Sequence, residues 1–278
     1  MVRNVVIGAA ILAATVIGTQ ARAALIDGWG ADTGATSGTV TDDGVSGFST
    51  TAPSGNLAIR ALMPSTLTLT NVGDQIVLSG QVALAAGDNG NQSLRLELLN
   101  TNGANSGTLS SGVWTGSTAT GWLGYMAELP QIATAGGSEV LAHRTSPNTG
   151  SWYSGTGASN LATKAASAIE TGTPPNVAAS YNFNLTLTLS AAGTVTESYS
   201  FADTDGSMTI GDSVADAAAN EFAYNAVGFL ENGSSGGAAT WSNINVSLVP
   251  AAAPEPASMG LLGLSSLGLL LRRRRGVV

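Results

Sequence analysis

Along residues 65–249, apolar and polar residues alternate in short runs separated by turn-forming clusters. In Tyr181–Ser190, YNFNLTLTLS, the residues Phe183, Leu185, Leu187 and Leu189 share one face and Asn and Thr occupy the other. A period of two is that of a half-buried antiparallel strand. Further strand-like runs are STLTLTN (Ser65–Asn71), QIVLSGQVAL (Gln75–Leu84), SLRLELL (Ser93–Leu99) and GWLGYMAEL (Gly121–Leu129). TVTESYSF (Thr194–Phe201), EFAYNAVGFL (Glu221–Leu230) and TWSNINVSLV (Thr240–Val249) follow. Asp88-Asn89-Gly90, Ala191-Ala192-Gly193, Asp205-Gly206 and Asn232-Gly233 supply turn chemistry between them. Helical periodicity is confined to NLATKAASAIE (Asn160–Glu170) and a shorter turn at Val214–Asn220. About ten to fourteen strands without a fixed-period repeat predict an all-β fold, an antiparallel two-sheet sandwich.

Both ends break this pattern. Arg3, the apolar stretch Val5–Gly18 and Ala21-Arg22-Ala23 form the three parts of a secretory signal peptide. Small side chains at Ala21 and Ala23 fit signal peptidase, with cleavage before Ala24. At the other end, Ala257–Leu271 is uncharged and rich in Leu and Gly, and Arg272, Arg273, Arg274 and Arg275 follow it. As a helix that run spans about 22 Å at ~1.5 Å per residue. This is short of a ~30 Å hydrocarbon core, although arginines can snorkel across part of the difference. The cluster acts as a stop-transfer signal held in the cytoplasm, leaving the rest of the chain outside. The expected organisation is a signal peptide at 1–23, a β-sandwich at 24–249, a linker at 250–256, a transmembrane helix at 257–271 and a basic tail at 272–278.

Pro254-Glu255-Pro256, the apolar run and the terminal arginines occur in that order. Together they resemble the PEP-CTERM sorting signal carried by many exported proteins of polysaccharide-producing bacteria. The resemblance implies recognition by a membrane protease-transpeptidase, the exosortase. Pro254, Glu255 and Pro256 would be its recognition motif, and the cell surface or extracellular matrix the destination. Over the body, LRLELLNTNG (Leu94–Gly103) and VGFLENG with TWSNINVSL (Val227–Leu248) resemble the concanavalin-like jelly roll of lectins, glucanases and carbohydrate-binding modules. That likeness implies that the last two runs form a strand pair closing the domain, with the last strand beside the N-terminal one.

Charge and composition narrow the function. The chain of 278 residues has a formal charge of −8 from 10 basic and 18 acidic residues. Six of the basic residues lie in the terminal segments. The body keeps Arg60, Arg95, Arg144 and Lys164, which set against all eighteen acidic residues leave roughly −14 by difference, Glu255 of the C-terminal segment included. Nucleic acid phosphates would be repelled by such a surface. With no cysteine, disulfides and thiolate metal sites are excluded, and a single histidine cannot complete a zinc site.

Little catalytic chemistry is legible. The paired carboxylates of a glucanase strand, ~5 Å apart, have no counterpart motif. Glu97 is alone on its strand, and a loop separates Glu128 from Glu139. His143 beside Arg144 reads as a surface residue, and no nucleophile elbow accompanies it. These residues predict a protein that is not an enzyme. Asp203, Asp205 and Asp212 fall at calcium-loop positions 3, 5 and 12, although Asp205-Gly206 equally suits a hairpin turn. Trp114, Trp152 and Tyr153, in Gly/Ser/Asn-rich surroundings, are candidate platforms for stacking on extracellular polysaccharide, whereas Trp122 and Trp241 read as core. Three functions remain open: a glycan-binding or adhesion module, a structural matrix protein without a ligand, and a divergent glycan hydrolase.

Overall fold

The computed structural model describes residues 22–24, 26–44, 46–85, 93–104, 106–115, 121–129, 138–144, 158–165, 179–204, 209–232 and 237–252. They form β1 (Arg22–Ala24), β2 (Asp27–Thr36), β3 (Val40–Asp42), β4 (Phe48–Thr50), β5 (Asn56–Thr68), β6 (Gln75–Leu84) and β7 (Ser93–Asn100). The chain continues through β8 (Thr108–Ser110), β9 (Val113–Thr115), β10 (Leu123–Leu129), β11 (Ser138–Arg144) and β12 (Ala158–Ala165). It ends with β13 (Ala179–Ala191), β14 (Thr194–Asp203), β15 (Thr209–Asp216), β16 (Ala223–Asn232) and β17 (Ala239–Val249). The described residues contain no α-helix. Sheet A has the order β15-β14-β13-β6-β17-β4-β3, with β1 also on β17; sheet B has the order β12-β11-β10-β7-β16-β5-β2-β9-β8. Pairings are antiparallel apart from the short parallel ladder of β2 with β9. This is an all-β two-sheet sandwich, and the expected terminal helices at 1–23 and 257–271 lie almost wholly outside the described residues.

Period-two patterning decides which face each strand buries. On β13, Tyr181, Phe183, Leu185, Leu187 and Leu189 turn inward, and on β6 Ile76, Leu78, Val82 and Leu84 do the same. Sheet B answers with Leu57, Ile59 and Ala61 of β5, Leu94, Leu96 and Leu98 of β7, and Val227 and Phe229 of β16. The β13–β14 hairpin turns at Ala191-Ala192-Gly193, where Gly193 takes φ 75°, a left-handed conformation that favours glycine.

Two expectations fail here. Residues 158–165 form an edge strand paired with β11 rather than a helix, so the Ala-rich sequence yields to ladder hydrogen bonds. The turn expected within Val214–Asn220 is present at 217–218, after β15 has run along β14 as far as Asp216. The two closing runs are not partners: β16 lies in sheet B between β7 and β5, and β17 in sheet A between β6 and β4. Their connection therefore crosses from one sheet to the other.

The sheets are joined by aromatic rings. Trp29 and Phe229 of sheet B meet Phe48, Phe183 and Trp241 of sheet A, with centroids 4.6 to 5.8 Å apart between Phe229 and Trp241, Phe48 or Phe183. Contacts of this kind contribute about 0.5–1.5 kcal/mol each beyond area burial. At the edge of the cluster, the fully buried Glu231 of sheet B accepts from Trp241 Nε1 at 2.7 Å and from Thr50 Oγ1 at 2.9 Å, both in sheet A. One carboxylate thus satisfies two buried donors across the interface.

Replacing Glu231 with Ala orphans the Trp241 indole N–H and leaves the Thr50 hydroxyl only its 3.4 Å contact with the Ala239 carbonyl. It should destabilise the protein by on the order of 3 kcal/mol, read as a lower urea midpoint, with Glu231→Gln milder because one acceptor remains.

Candidate functional site

The outer face of sheet B, away from sheet A, carries most of the body's basic residues. On β5, β7, β10 and β11 the inward positions are apolar or aromatic apart from His143, so Arg60, Arg95, Glu97, Glu128 and Arg144 turn outward. Ladder register places Ala142, Met126, Glu97, Gly228, Arg60 and Gly30 in one row across β11, β10, β7, β16, β5 and β2. Yet Arg60, Glu97 and Arg144 are buried. The β8–β9 hairpin contributes to this cover: a side chain at Gly30 would run into Leu109 and Trp114.

Arg60 sits between two indoles, 5.1 Å from the Trp114 centroid and 4.8 Å from that of Trp122, and pairs with Asp32 at 3.1 Å. Burial lowers its pKa, and the Asp32 charge opposes that shift. The Trp114 indole N–H donates to the Arg60 carbonyl at 3.0 Å, and Thr33 Oγ1 donates to the Trp114 carbonyl. Trp114 is therefore a packing residue, not an exposed sugar platform: cation–π contact and a backbone acceptor draw it down onto the sheet. Trp122 is fully buried, as its strand-like surroundings predict. Trp152 and Tyr153 lie outside the described residues.

Farther along the same face, Arg95 reaches Glu128 at 2.8 Å and Glu97 at 3.8 Å. Glu97 is the one carboxylate of β7, but β10 brings a second, Glu128, close by, and guanidinium groups come from Arg95 of its own strand and Arg144 of β11. Burial raises its pKa to about 8, against the pull of Arg95 and Arg144. At 1% exposure its carboxyl is out of reach of a sugar in this arrangement. The group is built for charge compensation, not for the paired-carboxylate chemistry of glycoside hydrolysis.

Sequence reasoning also missed a polar group inside the sandwich. His143 is fully buried, not on the surface: it faces inward because it pairs with Tyr125, on which it stacks at 4.2 Å. Asp216, at the end of β15, bridges the sheets by accepting from the Tyr125 hydroxyl at 2.9 Å and meeting His143 Nδ1 at 2.6 Å. Burial lowers the His143 pKa, and Asp216 and Glu221 oppose the shift. Glu197, wholly buried nearby, is pushed well above the ordinary carboxyl range by desolvation and by Asp216. No signal in the local sequence marks these partners, because β11 and β15 are far apart in the chain.

The proposed calcium loop does not assemble. Asp203 lies opposite Tyr181, and Asp212 opposite Tyr199, four positions back along β14. At ~3.3 Å per residue this separates them by about 13 Å, too far for one ion. Asp205 lies outside the described residues, and the flanking strands pair as a hairpin.

The outer face of sheet A differs in kind. Outward residues of β6, β13, β14, β15 and β17 are Ser, Thr, Asn, Gln, Ala, Gly or Val, and none is charged. A depression of about 390 Å³ lies there, lined by Ser79, Gln81, Asn182, Asn184, Ser200 and Asn243 among others. Asn243 Nδ2 donates to Gln81 Oε1 at 3.2 Å, and Gln81 Nε2 to Asn182 Oδ1 at 3.0 Å.

Beyond the last strand, the chain is fastened once more before the described residues end. Ala251 N–H donates to Asp74 Oδ1 at 2.8 Å, while Asp74 Oδ2 accepts from Thr70 N, Thr70 Oγ1 and Asn71 N. Residues 252–275, immediately after this clasp, match the family model of the PEP-CTERM protein-sorting motif. The chain carries a PEP-CTERM sorting motif. That match takes in Pro254, Glu255, Pro256 and the four arginines.

No curated protein matches the chain. Among solved structures, lectin II from Ulex europaeus is similar at 9% identity and a TM-score of 0.47, covering 84% of this chain and 98% of that one. Ulex europaeus lectin I, in complex with the methyl glycoside of α-L-fucose, is similar at 8% identity and a TM-score of 0.47, covering 82% and 98%. For the Emp46p carbohydrate recognition domain in its metal-free form the values are 12%, 0.41, 81% and 89%. Likeness at this level carries no argument about ligand.

Two outcomes follow for sheet B. Trp114→Ala should cost about 3–5 kcal/mol of stability, seen in urea unfolding, and leave polysaccharide retention by folded protein unchanged. Because the folded pKa of Glu97 lies above its ordinary value, the native state holds the extra proton between pH 4.5 and about 8. Stability should therefore fall as pH rises across that window, and Glu97→Gln should flatten the decline in a pH series of melting temperatures.

Proposed function

We propose that this chain is an exported bacterial surface or extracellular-matrix protein, held at the membrane by its C-terminal segment and released or transferred by an exosortase. The observation that carries this reading is the position of the sorting motif: it begins at residue 252, directly after the Ala251–Asp74 clasp. A cut within or beyond Pro254–Pro256 would leave every strand and the clasp in place. Arg272–Arg275 would retain the uncut form as a stop-transfer cluster, and Ala257–Leu271 would span the membrane. At the other end, signal peptidase would cut before Ala24, within the residues drawn as β1.

The sandwich itself is a non-catalytic glycan-binding or adhesion module. Support comes from the covered, charge-compensated face of sheet B and the open, uncharged face of sheet A. A purely structural role without a ligand is the second reading, favoured by the use of Trp114 for packing. Trp152 and Tyr153 remain proposed sugar-stacking residues, tested by retention of Trp152→Ala and Tyr153→Ala on polysaccharide.

Replacing Pro254 and Glu255 with Ala together should leave a membrane-associated form at the mass of the uncut C-terminus; equal release of mutant and wild type would overturn the sorting assignment. The clasp has its own signature. Burial opposes ionisation of Asp74, but N–H groups of Ala251, Asn71 and Thr70 and the Thr70 hydroxyl outweigh it, holding the pKa at about 2. Its folded pKa is depressed, so its contribution is present above pH 3.8 and is lost as pH falls through about 2. Asp74→Asn should lower stability by about 1–3 kcal/mol at neutral pH and speed proteolysis between residues 250 and 256.

A further inference from the structure

We infer that the outer face of sheet A is a binding surface for a neutral polysaccharide chain, centred on the depression between Gln81, Asn182, Asn184 and Asn243. The inference rests on the glycan-binding reading above and assigns it a place and a ligand class.

The first observation is the distribution of charge. A body of roughly −13, by the difference between four and seventeen, has seventeen acidic residues to place, yet five adjacent strands present none of them on this face. Solubility alone would put carboxylates on an open sheet face, so their exclusion keeps the surface matched to a ligand without charge. An anionic chain would gain no partner on this face and would be repelled by the rest of the body.

The second observation is donor and acceptor chemistry. Sugar hydroxyls both donate and accept, and so do carboxamides and hydroxyls. The relay from Asn243 through Gln81 to Asn182 fixes three amides side by side across β17, β6 and β13. Neither the Asn182 NH₂ nor the Asn243 side-chain oxygen is used in this relay. Asn184 accepts from Thr186 Oγ1 at 2.6 Å, which holds its amide over the next row, beside Ser79 and Ser200.

The third observation is shape. The β17 ladder slips between Ser242 and Asn245, and Asn243 takes φ 53° at that bulge. Bulges re-aim side chains, and this one sets an amide at the rim of an otherwise regular face. A second copy of this chain is a poorer occupant, because Val77 and Val249 are the only large apolar side chains directed outward here and a stable interface core needs more.

The test is affinity electrophoresis of the full-length chain in detergent through gels containing a neutral β-glucan, a neutral galactomannan or anionic alginate. Retention by a neutral polymer, insensitive to salt, is expected. Asn184→Lys combined with Ser200→Lys should weaken it about tenfold or more, and Asn243→Gly, which suits the left-handed backbone, should also weaken it. Should the lysine pair fail to give a native circular dichroism spectrum, Gln81→Ala with Asn182→Ala serves in its place. Neutral-polymer retention unchanged in all these variants would overturn this site and leave the glycan-binding reading standing. Absence of retention on every gel would overturn both. Retention by alginate alone, or a dimer in sedimentation that the lysine pair dissolves, would overturn the ligand assigned here.

Discussion

Everything in this molecule depends on two sheets being held face to face without a disulfide. Five aromatic rings meet across the gap within an aliphatic core, and Glu231 joins them by accepting from Trp241 and Thr50. A buried carboxylate is costly unless its oxygens are satisfied, so the strands that supply its donors must arrive in register. Strand β4, only three residues long, is tied in this way to both β17 and β16. The position of each outward-facing residue on either sheet follows from that alignment.

The two outer faces then take opposite roles. Sheet B is covered and must bury Arg60, Arg95, Glu97 and Arg144, which it achieves by pairing guanidinium groups with carboxylates and indoles. The outer face of sheet A is open, and its described residues on β6, β13, β14, β15 and β17 carry no charge. These differences explain why Trp114 misleads as a sugar platform. Together with the core residue Trp122 it is used up against Arg60, while the face left to solvent is built from side chains common in any polar strand.

How much could be read beforehand varied with the reach of the interactions involved. Gln75–Leu84 is a strand with the boundaries that its alternation predicts, and β13 and β14 differ from their predicted runs by one or two residues at an end. Each is a long period-two pattern beside a turn signal. The strand at 158–165 was hidden because alanine-rich sequence favours a helix until β11 offers it an edge. His143 was hidden for another reason: whether a polar residue at a strand end points in or out depends on the register with Tyr125 and on Asp216, 73 positions away by the difference of their numbers. The alternating LRLELL predicts one solvated face, which holds only if nothing lies over it. Sorting was the reverse case, since a linear motif is recognised as sequence and needs no fold to be legible.

The place of β17 sets the order of events in the life of the chain. It is last in sequence but interior in sheet A, between β6 and β4, with β1 also on it. A chain made from its N-terminus can pair β13 with β14 and β6 early, yet the β3–β4 hairpin has no sheet to join until residue 249 is free. Long-range closure of this kind is slow compared with the local hairpins. Maturation of the sandwich is therefore gated by the same stretch of polypeptide that leads into the sorting motif, and a stalled or truncated product would be left as an open half-sheet.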